Sequence, residues 1–229
     1  MKTLAADTST PVNTVAICNG ERIVAEAVVD CGRAHAERLM STVDWVLREA
    51  GMDLHDLDLL AVSAGPGSFT GLRIGVAAWK GLALATGKPM VAVPTLDAMT
   101  RLGAFRDATV VVLLDAKMKE VFGAVYRFEG GARTKLGVDR VAAVESFLDG
   151  LPEDTIFLGD GAELYRERIA TRMPAACVLG PAFRAPRAGA VCAEALALLA
   201  SGCKTDAAQI VPVYLRMSQP EVIRAQAAP

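Results

Sequence analysis

One short pattern appears twice in the chain, once in each half. An apolar run ends in an aspartate, a polar turn follows, and a second apolar run comes after it. Leu4 to Ala6, Asp7, the turn Thr8-Ser9-Thr10-Pro11 and Thr14 to Ile17 make the first copy. Val110 to Leu114, Asp115, Ala116-Lys117 and Val121 to Tyr126 make the second. Short apolar runs bounded by turn formers read as strands, and Asp, Ser and Thr side chains bond readily to nearby turn backbone. A strand–Asp–turn–strand unit used twice predicts a duplicated fold with both aspartates at strand ends, facing one cleft. The boundary between the halves falls near Gly103 to Asp107.

The segments between the two copies alternate strand and helix. Asn19-Gly20 is a two-residue hairpin signal, so Ile23 to Val29 is a third antiparallel strand. A helix from His35 to Ala50 is closed by Gly51. Leu57 to Ser63 reads as a buried strand, followed by a helix that reaches Thr86 and stops at Gly87-Lys88-Pro89. Met90 to Val93 is a further strand and Leu96 to Leu102 a helix. In the second half Gly130-Gly131 marks a turn, Thr155 to Leu158 a strand, and Ala162 to Ala170 a helix. Pro186 and Gly202 bracket an Ala-rich helix from Ala188 to Ala200.

Charge and cysteine content narrow the function. The 24 Lys and Arg residues against 26 Asp and Glu leave a formal charge of −2, whereas dedicated nucleic-acid binders need a basic surplus to neutralise phosphates. The chain is 52% hydrophobic with a mean hydropathy of +0.34, enough to bury a substantial core. None of the five cysteines (Cys18, Cys31, Cys177, Cys192, Cys203) stands at C-x-x-C spacing, which excludes zinc-ribbon and thioredoxin readings. They read as small buried hydrophobes in a reducing compartment. The N-terminus reaches Asp7 too early for a signal peptide. Leu72 to Ala85 carries Arg73 and Lys80 and is shorter than the ~20 residues of a membrane span. A cytoplasmic protein with no membrane contact is expected.

Three motifs bear on chemistry. Gly65-Pro66-Gly67-Ser68-Phe69-Thr70-Gly71-Leu72-Arg73-Ile74-Gly75 follows a strand and opens a helix. It lacks the Gly-Lys-Ser/Thr end of a Walker A loop, misses the dinucleotide spacing by one, and has Pro66 where a nucleophile elbow needs glycine. A structural turn at Gly65, Pro66, Gly67, Ser68, Thr70 and Gly71 and a ligand or partner loop both remain open. His35 and His55 are the only histidines. A metal pair at H-x-x-x-H spacing needs histidine four residues after His35, and Leu39 stands there. His35-Ala36-Glu37 matches half of a zinc-deaminase signature without its cysteines. His35 therefore reads as a helix-end histidine and no metal site is expected.

The two helices flanking the glycine run carry more apolar side chains than one buried face needs. At 3.6 residues per turn, Leu39, Met40, Val43, Val46, Leu47 and Ala50 share a stripe, with Trp45 opposite beside Ser41 and Glu49. In the second helix Leu72, Val76, Trp79 and Ala83 form one stripe, and Ile74, Ala78, Leu82 and Ala85 another. A helix apolar on two faces is sandwiched or meets a partner. On this reading Trp45, Leu72, Val76, Trp79 and Ala83 are assigned to a partner interface, Trp being enriched at binding hot spots.

Asp7-Thr8-Ser9, the Gly65 to Gly75 run, Asp115-Ala116-Lys117 with Glu120-Val121-Phe122, Gly159-Asp160-Gly161 and Pro212-Val213-Tyr214-Leu215-Arg216 together resemble the TsaB family, also called YeaZ. The resemblance runs end to end, and its most specific part is the glycine run. It implies an actin-like ATPase fold of two related α/β lobes, each a mixed sheet with flanking helices. An N-terminal lobe, 1–105, would carry the partner-binding helices, and a C-terminal lobe, 106–229, a late helix that packs back on the first. It implies a non-catalytic scaffold role in making N6-threonylcarbamoyladenosine in tRNA, paired with the TsaD paralogue and the TsaE ATPase. The chain would self-pair when alone and serve tRNA indirectly. TsaD carries the metal-binding H-x-x-x-H, so Leu39 fits the partner. Asp7, Thr8, Ser9, Asp115, Lys117, Gly159, Asp160 and Gly161 would outline a relict nucleotide cleft. The turns after Asp7 and Asp115 lack the glycines that wrap phosphate. No tightly bound cofactor is therefore expected, with ATP or ADP held only at a joint interface with partners. The competing readings are an actin-like ATPase or small-molecule kinase and, more weakly, a peptidase.

Overall fold

The structure, a computed structural model, describes residues 1–30, 32 and 35–216. Cys31 and the side chain of His35, each the subject of an expectation above, lie outside the described residues, as does the stretch Gln219 to Pro229.

Two sheets repeat one topology. In the first, β1 (Lys2–Asp7), β2 (Val12–Asn19), β3 (Arg22–Asp30), β4 (Leu59–Gly65) and β5 (Met90–Pro94) stand in the order β3-β2-β1-β4-β5. In the second, β6 (Ala108–Asp115), β7 (Val121–Glu129), β8 (Ala132–Lys135), β10 (Ile156–Leu158) and β11 (Cys177–Val178) stand in the order β11-β10-β6-β7-β8, with β9 (Arg140–Ala142) also on β7. Strands β1 and β6 hold matching places. Each is antiparallel to the strand after it and parallel to the next strand across, β4 or β10. Asp7 and Asp115 therefore end equivalent strands, as the repeated pattern required.

Helices α1 (His35–Ala50) and α2 (Phe69–Thr86) cover one face of the first sheet, meeting Leu4, Ala6, Val15, Ile17, Leu60 and Val62. Ser68 caps α2, its Oγ accepting from Gly71 N at 3.3 Å, and Gly87 ends it in the left-handed conformation at φ 67°. The other face carries α6 (Ala188–Ala200), the late helix of the second half. Ala5, Ala16 and Ala61 on the strands face Ala188, Val191, Cys192 and Ala195; small side chains on both surfaces let helix and sheet approach closely. Helix α3 (Thr95–Met99) joins the lobes, with Ala98 in the α6 layer and Leu96 and Met99 in the core of the second sheet.

The α2 stripe expected to meet a partner does not reach the surface. Leu72, Val76, Trp79 and Ala83 are 0%, 4%, 0% and 5% exposed, inside the chain's own core. Trp79 Nε1 donates to Leu4 O at 3.3 Å across the helix–sheet seam. Burying each large apolar side chain is worth about 1.5–3 kcal/mol, so this stripe holds α2 to its sheet. Trp45 alone of the five lies on the surface, and Met40, projected onto the inward stripe of α1, is exposed too. Cys177, expected to be buried, is exposed on β11.

Two helices are interrupted. The segment read as Ala162 to Ala170 is α4 (Asp160–Leu164) and α5 (Arg166–Arg172), broken at Tyr165. The helix read as Leu96 to Leu102 is α3 followed by a 3-10 turn, Thr100–Leu102. Among the described residues no helix is long and apolar enough to cross a membrane.

Candidate functional site

The two aspartate turns face a cleft of about 600 Å³ between the lobes. Asp7 is fully buried at the end of β1. Its Oδ1 accepts from Ser9 N at 2.9 Å and from Ser9 Oγ at 2.8 Å, closing a side-chain-capped turn. The glycine run packs on that turn. A Cβ at Gly71 would lie 1.9 Å from Thr8 O, one at Gly67 2.6 Å from Ser9, and one at Gly75 2.3 Å from Thr8 Oγ1. Thr8 Oγ1 donates to Gly71 O at 2.8 Å and Ser68 N to Ser9 O at 2.7 Å, so backbone meets backbone where side chains would stand. Close packing of the glycine run against the first turn thus accounts for three of the run's glycines, Gly67, Gly71 and Gly75.

The second turn is built by the same device with different chemistry. Gly159 (φ 106°) and Gly161 pack against Leu113 at the end of β6, with a Cβ at Gly159 only 2.0 Å from Leu113 O. Between them Asp160 Oδ1 accepts from Asp115 N at 2.9 Å. Burial, the largest influence on it, raises the Asp160 pKa above the usual carboxylate value, against the hydrogen bond from Asp115 N, which pulls it down, while the Asp115 charge pushes it up. Asp115 in turn accepts from Lys117 N at 2.8 Å and pairs with Lys117 Nζ at 2.5 Å. Lys117, Met118 and Lys119 all adopt positive φ, at 61°, 54° and 64°, a conformation that crowds the Cβ of any L-residue.

Of the residues expected at a nucleotide cleft, Ser9, Asp115, Lys117 and Asp160 line it, together with Gly67, Ser68, Thr70 and Gly71 of the glycine run. Asp7, Thr8, Gly159 and Gly161 stand behind that lining, and Gly65 and Pro66 lie outside it. Tyr214, Leu215, Arg216 and Phe122, which carry the resemblance but were not expected at the cleft, wall it together with Phe69. The one available signal for that wall was the late apolar-aromatic run ending in Arg216.

Trp45 lies apart from the cleft, in a groove with Ser41 and Thr42 of α1 and Ala27 to Val29 of β3. Thr70, Arg73, Ala77, Gly81 and Leu84 form the outward stripe of α2, and Leu84 is 90% exposed. Leu39 is buried in the core at the place a second metal-binding histidine would need. Among the described residues no group of three His, Cys, Asp or Glu side chains is placed to hold a metal ion.

Comparison with known proteins adds three kinds of likeness. The family model for TsaD, tRNA N6-adenosine threonylcarbamoyltransferase, matches residues 29–222. The tRNA threonylcarbamoyladenosine biosynthesis protein TsaB of Bacillus subtilis is 29% identical over 228 residues, 96% of this chain and 96% of its own. YeaZ from Pseudomonas aeruginosa superposes with a TM-score of 0.81 at 31% identity, over 93% of this chain and 99% of that one. An activator of 2-hydroxyisocaproyl-CoA dehydratase from Clostridium difficile, 11% identical, reaches 0.50 over 88% of this chain and 95% of that one, a likeness of fold. The two lobes have the actin-like ATPase fold.

Proposed function

Since the chain belongs to the TsaB (YeaZ) family, whose members carry the name tRNA threonylcarbamoyladenosine biosynthesis protein, we propose that it is a scaffold subunit of that pathway, without catalytic chemistry of its own. It pairs with a TsaD paralogue through the α1–α2 layer, admits the TsaE ATPase to the pair, and leaves tRNA contact to its partner. Alone, it self-pairs through the same helices.

The observation that carries this reading is the outward stripe of α2. Leu84 is nearly fully exposed, and its helix neighbours on that stripe, Ala77 and Gly81, are small. Exposed Met40 lies on the neighbouring helix α1. Small residues let a partner helix approach closely, and a large exposed apolar side chain gives it something to bury. The partner face is thus the stripe opposite the one the sequence pointed to. Further support comes from Leu39, which fills with core the place where the TsaD paralogue carries a metal ligand. The turns after Asp7 and Asp115 contain no glycine and present capped carboxylates rather than an open loop of amides, so nucleotide is held only where a partner completes the site.

The test is association of this chain with its TsaD paralogue, followed by calorimetry. Gly81→Glu suits it, because a Cβ at Gly81 meets nothing within 4 Å and the fold is spared. Gly81→Glu and Leu84→Glu are expected to weaken pairing at least about tenfold, the size of a modest hot-spot loss. Unchanged association in both variants, with normal folding, refutes the α2 face as the partner surface.

A further inference from the structure

The segment Ile210 to Arg216 has little regular structure, yet it crosses from one lobe to the other in seven residues. Ile210 is buried in the core under α1 and α2. Val213 N donates to Ala64 O at 2.7 Å, and its carbonyl sits directly over Gly65, where a Cβ would be 2.4 Å away. The ring of Tyr214 lies 4.7 Å from that of Phe69, and its hydroxyl accepts from Arg73 Nε at 3.0 Å. All of these contacts are with the first lobe. One residue later Leu215 packs against the core of the second sheet. Arg216 then donates from Nη1 to Ala116 O at 3.0 Å and pairs through Nη2 with the Glu120 carboxylate.

Ala116 and Glu120 are the two ends of the turn in which Lys117, Met118 and Lys119 are held at positive φ. The turn closes on itself through Ala116 N to Glu120 O and Glu120 N to Lys117 O, both 3.0 Å. Three consecutive L-residues in the left-handed region stay there only if their surroundings over-determine them. A planar guanidinium that reaches a carbonyl at one end and a carboxylate at the other supplies such a constraint.

We propose that Ile210–Arg216 is an interlobe clasp with Arg216 as its latch: the segment ties the lobes together along one wall of the cleft and holds the 117–119 turn in its left-handed form. Release of the latch relaxes the turn and frees the Tyr214–Arg216 wall, so the cleft widens without a break in either core. Exposure along the segment fits this role. The clasp exposes Val211 and Val213 at 65% and 51% and is fastened by a few contacts, the profile of a segment that opens locally well below the free energy of global unfolding.

Residue-resolved amide exchange on the full chain tests this. Arg216→Ala is expected to speed exchange at Ala116 and Glu120 about tenfold or more, while amides of β1, β4 and β6 keep their protection. Glu120→Gln added to Arg216→Ala should bring little further change at Ala116, because both act through one contact. The decisive variant is Tyr214→Ala, whose lost contacts, with Phe69 and Arg73, lie in the first lobe. Its effect must reach Ala116 and Glu120 in the second. Unchanged exchange at those two amides in Arg216→Ala, a Tyr214→Ala effect confined to the first lobe, or protection lost evenly across both sheets would each overturn the clasp.

Discussion

The turns after Asp7 and Asp115 occupy the same place in two sheets of the same strand order, yet they are in different physical states. The first is sealed: Asp7 and Thr8 are fully buried, and the α2 glycines press their backbone onto the turn. The second is open. The Asp115 side chain keeps contact with solvent, its Lys117 partner is 76% exposed, and the residues between strands sit at positive φ. Both keep a carboxylate at the strand end and glycines on the opposing segment, so the duplicated topology conserves the packing device. Each carboxylate accepts from a backbone amide two residues on, and what differs is the side chain that joins it, a buried hydroxyl in one case and an exposed ammonium in the other. A sealed turn is part of the core, whereas an open one can respond to what enters the cleft or to the clasp that holds its ends.

The two turns are compared by the glycines that open the segment packed on each, Gly71 in α2 and Gly161 in α4, since Gly159 combines a contact of 2.0 Å with a positive φ and would be costly on both counts. A methyl group at Gly71 would stand 1.9 Å from Thr8 O, a backbone atom that cannot swing away. Gly71→Ala is therefore expected to cost about 3 kcal/mol or more in urea denaturation, at the top of the overpacking range. Gly161→Ala, whose Cβ would approach Leu113 and Leu114 backbone no closer than 3.0 Å, should cost about 1–2 kcal/mol. Equal costs would mean the first turn is no more tightly sealed than the second. A smaller contrast separates the carboxylates themselves. Asp7→Asn leaves a buried amide facing the Ser9 hydroxyl and should lose about 1–3 kcal/mol. Asp115→Asn breaks a pair whose lysine is mostly in water and should lose about 0.2–1 kcal/mol, shrinking further in high salt. Melting temperatures in low and high salt compare the two, and a larger loss at Asp115 would reverse the assignment.

Much of this architecture is legible in the residues themselves. Alternation of apolar runs with Gly, Pro and Asn turns sets out β1 to β7, and the Pro186 and Gly202 brackets set α6. Strand β8, Ala132–Lys135, escapes because its alternation is of charges rather than apolar side chains, and β11 has two residues. The helix break at Tyr165 carries no glycine or proline to announce it. The site is less legible, for a physical reason. A period of 3.6 identifies stripes on α2 but does not say which stripe meets the sheet when both are apolar. The choice fell on the bulky stripe with Trp79, and bulk is what a core takes first. The stripe left outside, with Ala77 and Gly81, is neither of the two apolar stripes read from the sequence, because side chains this small do not register as one. The clasp was equally hidden, since its partners Ala64, Phe69, Ala116 and Glu120 are separated from it by most of the chain.

The smallest expected effect sharpens the comparison by pH. Asp160 belongs to the open turn, and burial raises its pKa in the folded state, outweighing the hydrogen bond it accepts from Asp115 N. A carboxyl whose folded pKa lies above its unfolded value gives its full contribution to stability below the unfolded pKa, near 3.9 for aspartate. That contribution is lost as pH rises through the folded value, because the folded protein must then carry an ionised carboxylate in a poorly solvated place. Asparagine keeps the acceptor for Asp115 N and never ionises. Asp160→Asn should thus match the parent protein near pH 4 and exceed it by about half a kcal/mol near pH 7, the scale of a mild local change. Urea midpoints at the two pH values measure it. A variant that loses stability relative to the parent as pH rises would show that the Asp115 and Gly161 amides and the Lys117 charge outweigh burial at Asp160.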